Sequence, residues 1–306
     1  SVALIPRSLK PLLPMLCAAA LWMPHPALAQ SLEQMAGQMI IVGFAGDTAS
    51  APQVNALRQE IAAGGIGGVM FLKTNVKSLA AVKAMNVAFR AAAPDLPPFI
   101  TLDQEGGAVE RLTAAVGFKE IPNAATVAAS QSPEAARRIY GEMASGIAAV
   151  GFTVNFGPVV DLDLNPDNQI IAKYGRAFGA SAKAVIPYAE AFIEAHREAG
   201  MLTALKHFPG HGSSTADSHE GFVDITGTWQ KAELTPYKAL IGAGLADMVM
   251  VGHLIHTDFS ALPSSLAPEW IDGVLRGQLG YQGVVISDDL EMGAIRDHFS
   301  LEETVA

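Results

Sequence analysis

The sequence has one cysteine, few charged residues and no cluster of basic ones. Lysine and arginine number 20 against 30 aspartates and glutamates, and the formal net charge is −10. Binding to nucleic acid requires a positive surface facing the phosphates, so this charge balance argues against a nucleic-acid partner. With Cys17 as its single cysteine, the chain cannot close an internal disulfide.

A convincing membrane span is also missing from the sequence. The apolar run Leu12–Met23 is too short and too broken by proline to cross a bilayer. Basic residues precede it, and Ala27-Leu28-Ala29 supplies the small residues that signal peptidase requires. We therefore predict a secretory signal at residues 1–29, a mature domain at residues 30–306, and a periplasmic or secreted protein with no stable membrane span.

After this segment, one pattern repeats along the chain: an apolar run, a polar loop and a helical stretch. Each run is short and rich in β-branched residues, which is typical of buried parallel strands. The seven predicted strands are Met39–Phe44, Ile66–Leu72, Phe99–Leu102, Phe152–Val160, Met201–Leu205, Asp247–Gly252 and Gly283–Ile286. The pattern predicts an α/β fold, a TIM-type (β/α) barrel truncated before its eighth β/α unit.

The most unusual stretch follows the fifth predicted strand. It reads Lys-His-Phe-Pro-Gly-His-Gly at residues 206–212 and continues to Asp217 and His219. A carboxylate two residues from an imidazole can hold the ring in one tautomer and stabilise its charged form, which suits proton transfer near neutral pH. We predict His219 as the proton carrier and Asp217 as its orienter. An isolated Asp-x-His pair can equally cap neighbouring backbone.

Three carboxylates stand where predicted strands end, at Asp103, Asp161 and Asp288. A retaining glycosidase needs one carboxylate to attack the anomeric carbon and a second group to protonate the departing oxygen. Asp288 is a candidate nucleophile and His219 a candidate acid. The alternative is that a strand-end aspartate caps the helix that follows it.

Four motifs together resemble a known family. They are residues 206–212, Asp-Ser-His at 217–219, Asp-Gln-Glu-Gly-Gly at 103–107 and Ser-Asp-Asp-Leu-Glu-Met at 287–292. In this order they are similar to family 3 glycoside hydrolases, in the bacterial β-N-acetylhexosaminidase branch. The resemblance covers the chain from about Leu32 to Ala306.

This resemblance implies an activity and a set of site residues. The chain would be a retaining exo-β-N-acetylhexosaminidase that removes terminal N-acetylglucosamine from cell-wall or chitin-type oligosaccharides, with a role in peptidoglycan recycling. Asp288 would form the glycosyl-enzyme, and His219 with Asp217 would be the acid/base dyad. The residues implied to contact the sugar are Asp103, Arg111, Arg176, Lys206 and His207. The resemblance implies no cofactor, no metal and a monomer.

Other interpretations stay open. One is a β-glucosidase or β-xylosidase of the same family, and another is a catalytically inactive sugar-binding barrel. A third is a metal-dependent barrel hydrolase, because histidines at several strand ends can ligate zinc. The histidines in question are His207, His211, His219, His253 and His256.

Overall fold

The computed structural model describes residues 31–215 and 222–290. Its helices are α1 (Leu32–Gln38), α2 (Pro52–Ala63), α3 (Leu79–Ala92), α4 (Ala124–Ser130), α5 (Pro133–Ala149), α6 (Ala182–Glu198) and α7 (Thr235–Gly242), followed by a π-helix at Glu269–Gln278. The strands are β1 (Ile41–Gly43), β2 (Gly68–Met70), β3 (Phe99–Leu102), β4 (Val154–Asn155), β5 (Leu202–Phe208), β6 (Val223–Asp224), β7 (Met248–Val251), β8 (Leu254–Ile255) and β9 (Val284–Ser287).

Seven of these strands form one parallel sheet in the order β1-β2-β3-β4-β5-β7-β9. Neighbours in the sheet follow one another along the chain, with helices on the connections, as in a (β/α) barrel. Strands β6 and β8 pair separately, also in parallel. Because every strand of the main sheet runs the same way, all their carboxyl ends lie at one edge.

The sheet is curled. One apolar cluster contains Val154, Ala204 and Met250 from its central strands, together with Ile41 from β1 and Ile286 from β9. These last two residues belong to the two edge strands of the sheet, and a flat sheet would keep them apart. Strand β1 pairs with β2 alone and β9 with β7 alone among the described residues. This arrangement confirms the predicted α/β fold with seven of a barrel's eight strands.

The helices pack on the outer side of the sheet. Ser132 caps α5, accepting a hydrogen bond from the backbone of Ala135, and Pro133 occupies the first turn. The buried face of α5 meets α6, where the rings of Tyr140 and Phe192 lie 4.8 Å apart. The core here also includes Trp270, which is fully buried. None of the described helices is long and apolar enough to cross a membrane.

Only Phe99–Leu102 has the predicted bounds, and the differences at the fifth and fourth predicted strands bear on the site. The fifth continues beyond Leu205 to Phe208, so Lys206 and His207 lie on β5 itself and not on the loop after it. Their side chains are buried against carboxylates, which is what allows charged residues to continue the strand. The fourth strand is shorter than predicted and ends at Asn155. Beyond it the carbonyls of Gly157 and Pro158 still accept from β5, but Pro158 has no amide hydrogen to donate, and only an isolated bridge forms, between Val159 and Lys206.

One predicted helix has a different form in the structure, and two predicted segments lie outside the described residues. The sequence pattern also predicts a helix at Lys231–Ala243, and the structure has a 3₁₀ turn at Lys231–Leu234 followed by α7, which has Pro236 in its first turn. The sequence pattern predicts a last helix from Ala294, and both this segment and the predicted signal at residues 1–29 lie outside the described residues.

Candidate active site

A chain of ion pairs joins the ends of strands β3 and β5. Lys206 Nζ donates to Asp103 Oδ1 at 2.8 Å and lies 2.7 Å from Glu105 Oε1. Arg111 Nη2 donates to the other oxygen of Asp103 at 3.2 Å. Arg176 closes the chain with two hydrogen bonds to Glu105, from Nη2 at 2.7 Å and from Nε at 2.9 Å. Four of the five predicted sugar contacts therefore lie in one group.

The charges in this group fix one another. Burial alone would raise the pKa of Glu105, but the cations Arg176 and Lys206 hold it well below its ordinary value. Burial alone would lower the pKa of Lys206, and the carboxylates of Asp103 and Glu105 raise it instead. Glu105 and Lys206 are thus both ionised at neutral pH. Asp103 and Arg111 retain partial exposure, at 18% and 20% of their side chains, so this end of the group is open to a ligand.

Gln104, between Asp103 and Glu105, holds the loop that brings Arg111 back to Asp103. The side chain of Gln104 accepts hydrogen bonds from the backbone amides of Arg111 at 2.8 Å and Leu112 at 3.1 Å, and donates to the carbonyl of Leu112 at 2.9 Å. Gly106 makes the turn at a φ of +99°, where a Cβ would lie 2.5 Å from the carbonyl oxygen of Pro122. Gln104 and Gly106 therefore determine where Arg111 lies.

The fifth predicted sugar contact, His207, is held by Asp161. Its Nδ1 lies 2.8 Å from Asp161 Oδ2, and the backbone amide of His211 donates to Oδ1 at 2.8 Å. Burial would raise the pKa of Asp161, but His207 lowers it below its ordinary value, so the carboxylate is ionised. Because a carboxylate accepts, Nδ1 of His207 carries the hydrogen in this contact.

The segment that leads to residues 216–221 is anchored on several sides. Gly212 lies so close to the carbonyl oxygen of Leu162 that a Cβ would meet it at 1.6 Å. The side-chain amide of Asn168 donates to the carbonyl of His211 at 2.9 Å, and the hydroxyl of Ser213 donates to Glu233 at 2.9 Å. These contacts fix the base from which the predicted dyad follows. Asp217 and His219 themselves lie outside the described residues.

The predicted nucleophile stands at the end of the last described strand. The backbone amide of Asp288 donates to the carbonyl of Val251 on β7 at 2.9 Å, and Asp289 donates its own amide to Asp288 Oδ1 at 2.8 Å. Burial would raise the pKa of Asp288, but the neighbouring His207 and His253 and the backbone amide of Asp289 lower it. The carboxylate is therefore ionised, as an attacking carboxylate requires, and it lies at the strand ends near enough to His207 and Lys206 for both to lower its pKa.

Three contributors to this site were not among the predicted site residues. Glu105 pairs with both Arg176 and Lys206, Asp161 orients His207, and His253 contacts the backbone beside Asp288. Glu105 stands two residues after Asp103, and alternation along an extended segment places both on one side. That spacing was available in the sequence. Asp161 is one of the three strand-end carboxylates, but its residue type alone does not indicate which histidine it holds.

The zinc interpretation depends on histidines converging. Within residues 31–215 and 222–290, no group of three or more His, Cys, Asp or Glu side chains is arranged to hold a metal ion. His211 is buried, burial lowers its pKa to about 4, and its Nδ1 lies 2.6 Å from the hydroxyl of Ser214. His253 is bonded to a serine and a carbonyl. Both rings thus take part in contacts within the protein.

Comparison with known sequences identifies the family. The family model described as "Glycosyl hydrolase family 3 N terminal domain" matches residues 31–306. A beta-hexosaminidase of Xylella fastidiosa (strain M23) is 38% identical over 267 residues, which are 84% of this chain and 76% of that protein.

Solved structures agree with this match. A glycoside hydrolase family 3 beta-N-acetylglucosaminidase from Paenibacillus sp. str. FPU-7 superposes with a TM-score of 0.83 at 32% identity and covers 90% of this chain. This chain spans about half of that protein, 52% of its length. NagZ from Neisseria gonorrhoeae, in complex with N-trifluoroacetyl-D-glucosamine, superposes with a TM-score of 0.73 at 25% identity over 85% of this chain and 76% of its own.

Proposed function

The chain belongs to family 3 of the glycoside hydrolases, and on that premise we propose that it is a retaining exo-β-N-acetylhexosaminidase. Its substrates would be cell-wall or chitin-type oligosaccharides with terminal N-acetylglucosamine. The observation that carries this proposal is the placement of an ionised Asp288 beside Lys206 and His207 at one end of the sheet. A nucleophile and a set of hydroxyl-binding groups there face the same pocket.

The relatives support the choice of sugar. The Paenibacillus protein is a beta-N-acetylglucosaminidase, and the Neisseria protein was solved with an N-acylated glucosamine. In this chain, Asp103 and Arg111 form the partly exposed end of the ion-pair group. A carboxylate beside a guanidinium offers both an acceptor and donors to neighbouring sugar hydroxyls. We assign these two residues, with Lys206, His207 and Arg176, to the terminal sugar.

The proposed reaction has two steps. In the first, Asp288 attacks the anomeric carbon as the glycosidic bond breaks, and His219 gives its proton to the departing oxygen. In the second, His219 takes a proton from water, the water oxygen bonds to the same carbon, and Asp288 leaves as a carboxylate. Asp217 orients the imidazole in both steps. A neutral imidazole can accept the proton without placing a second negative charge beside the nucleophile.

Location and partners follow from the same proposal. The predicted signal at residues 1–29 would place the mature protein in the periplasm or outside the cell, and the acidic surface fits an oligosaccharide partner better than nucleic acid. We propose that the protein acts as a monomer in peptidoglycan recycling. Mass spectrometry of the exported protein tests this: an amino terminus at Gln30 supports export, and an uncleaved chain in the cytosol contradicts it.

The test of the activity compares two substrates. We expect the chain to hydrolyse an aryl N-acetyl-β-glucosaminide with a kcat/KM at least ~10²-fold above that for the matching aryl β-glucoside, because a site built around an acetamido group leaves buried polar groups unpaired when that group is missing. A preference for the glucoside would favour a β-glucosidase. Sugar binding by calorimetry without any turnover would favour an inactive sugar-binding barrel.

A further inference from the structure

His253 is a buried histidine to which the proposed reaction gives no role. It follows strand β7, and 1% of its surface is exposed. Its Nε2 lies 2.7 Å from the carbonyl oxygen of Asp289, and its Nδ1 lies 2.6 Å from the hydroxyl of Ser265. A carbonyl oxygen can only accept a hydrogen bond, so Nε2 carries the hydrogen. In the neutral ring, Nδ1 then accepts from Ser265.

Two adjacent serines hold this histidine in place. Ser265 bonds to the ring, while the hydroxyl of Ser264 donates to the carbonyl of Gly252 at 2.5 Å and accepts from the amide of Leu254 at 3.2 Å. The two residues that flank His253 in the chain are therefore tied to one side chain. Ser264 is fully buried, so these bonds are shielded from water. Both the backbone and the ring of His253 are thus fixed.

The contact with Asp289 reaches the nucleophile through one residue. The carbonyl of Asp289 accepts from His253, and the amide of Asp289 donates to Asp288 Oδ1 at 2.8 Å. The amide of Asp288 is held by the carbonyl of Val251, on the same strand that His253 follows. The carboxylate of Asp288 is therefore positioned from both sides of its own residue. One of its oxygens is engaged, and the other accepts no hydrogen bond from residues 31–215 or 222–290, which leaves it to attack.

We propose that His253, held by Ser265, is a positioning residue for Asp288: it fixes the backbone at Asp289 so that one carboxylate oxygen is held and the other faces the anomeric carbon. This inference rests on the proposed function. His253 does not touch the substrate in this scheme. Misplacing an attacking atom by about 1 Å costs on the order of 10²-fold in rate, so the effect belongs in kcat and not in sugar binding.

The first experiment measures kcat and KM for an aryl N-acetyl-β-glucosaminide. We expect His253→Phe to lower kcat about 10- to 100-fold with KM within about threefold of wild type. His253→Gln can still donate to the carbonyl and accept from Ser265, so it should recover most of that loss. Ser265→Ala keeps the ring but frees Nδ1, and we expect an intermediate kcat.

His256→Phe is the matched control. His256 is buried three residues further on, against the rings of Trp229 and Phe259 at 5.6 and 4.8 Å. The substitution is the same and both histidines are buried, with 1% of His253 and 6% of His256 exposed, but at His256 aromatic rings replace the contact with Asp289. We expect its kcat to stay within about twofold of wild type. A kcat for His253→Phe no lower than that of His256→Phe, or a glutamine variant as slow as the phenylalanine one, overturns the inference.

A second measurement does not require turnover. Carbon-13 NMR can follow the titration of the Asp288 carboxyl, with Asp288→Asn to identify its signal. Loss of His253 loosens the amide of Asp289, whose hydrogen bond to the carboxylate lowers the pKa of Asp288 in the wild type. We expect that pKa to rise in His253→Phe and to stay unchanged in His256→Phe. An unchanged value in His253→Phe overturns the inference even if the chain proves inactive, which would separately refute the proposed function.

Discussion

The guanidinium of Arg176 lies against the carboxylate of Glu105 in a two-bond pairing, with Nη2 to Oε1 at 2.7 Å and Nε to Oε2 at 2.9 Å. Its remaining nitrogen lies 3.3 Å from the carbonyl of Ile170. Arg176 thus makes its main contacts with the protein. Its predicted contact with the sugar would use guanidinium N–H groups that are not engaged in these bonds. Its clearest structural effect is on Glu105, which in turn contacts Lys206.

Glu105→Gln should therefore destabilise the fold as well as the site. The change leaves Arg176 and Lys206 buried with one carboxylate fewer, and removing one partner of a buried ion pair costs about 3–5 kcal/mol. We expect a loss of that order in the free energy of unfolding, measured by urea denaturation. Because Lys206 would lose one of its two anions, KM should also rise.

The control for this change is Glu142→Gln. Glu142 pairs with Lys119 at the surface, where both side chains are more than half exposed. Exposed pairs contribute about 0–1 kcal/mol, so this variant should unfold almost as wild type does. If Glu105→Gln were no more destabilising than Glu142→Gln, the buried ion-pair group would not be a structural unit.

Asp161→Asn tests how His207 is oriented. One carboxylate oxygen accepts from His207 Nδ1 and the other from the backbone amide of His211. The asparagine side chain has only one oxygen, so its NH₂ group would face one of these two donors. We expect His207 to lose its orientation and KM to rise about 10- to 100-fold through weaker sugar contacts. Unchanged KM would contradict the predicted contact between His207 and the sugar.

The same variant has a defined pH dependence. The pKa of Asp161 is lowered in the folded protein, so its contribution to stability is complete above the ordinary carboxyl pKa and is lost as pH falls through the lowered value. Asp161→Asn should therefore be less stable than wild type at pH 7, and the difference should narrow at pH 3. Urea denaturation at the two pH values measures it. A difference that widens toward low pH would have the wrong sign.

Much of the fold follows from the pattern of apolar runs. Strand β3 has the predicted bounds, Phe99–Leu102, because its buried run ends at a charged residue. Strand β5 does not, because the partners that make Lys206 a buried residue stand about a hundred positions earlier, at Asp103 and Glu105. A local pattern identifies which residues carry charge, but long-range pairing decides which charges are buried.

The site shows the same division. Site residues that belong to a motif, such as Asp103 and Arg111, can be predicted from the sequence because they lie only eight positions apart. The contact of His253 with the carbonyl of Asp289 joins residues 36 positions apart, and neither residue type indicates it. Backbone contacts of this kind depend on where two strand ends meet, which the three-dimensional fold alone determines.

Glu233→Gln should stabilise the protein at high pH. Glu233 is buried, its Oε2 accepts from Ser213 and from the amide of Gln230, and its Oε1 has no partner among the described residues. Burial raises its pKa to about 7. The unfolded chain releases this proton at a lower pH than the folded chain does. Wild-type stability therefore falls as pH rises from the ordinary pKa of glutamate through about 7.

Thermal melting at pH 5 and pH 8 checks this. We expect Glu233→Gln to resemble wild type at pH 5 and to be more stable at pH 8 by on the order of 1–3 kcal/mol. The exposed variant Glu142→Gln should show no such change between the two pH values. An equal difference at both pH values for Glu233→Gln would mean that the carboxyl does not titrate in this range.

Asp288→Ala and His219→Ala separate the two catalytic roles. Asp288→Ala removes the attacking group, so we expect no measurable turnover while sugar binding persists, because Asp103, Arg111 and Lys206 are untouched. His219→Ala should lower turnover ~10²- to 10⁴-fold, the usual range for general acid/base catalysis. The loss should be smallest in the first step with a nitrophenyl leaving group, which departs without a proton. Near wild-type hydrolysis by the His219 variant would refute its role, and a slow fluorinated substrate that labels any residue other than Asp288 would refute the nucleophile.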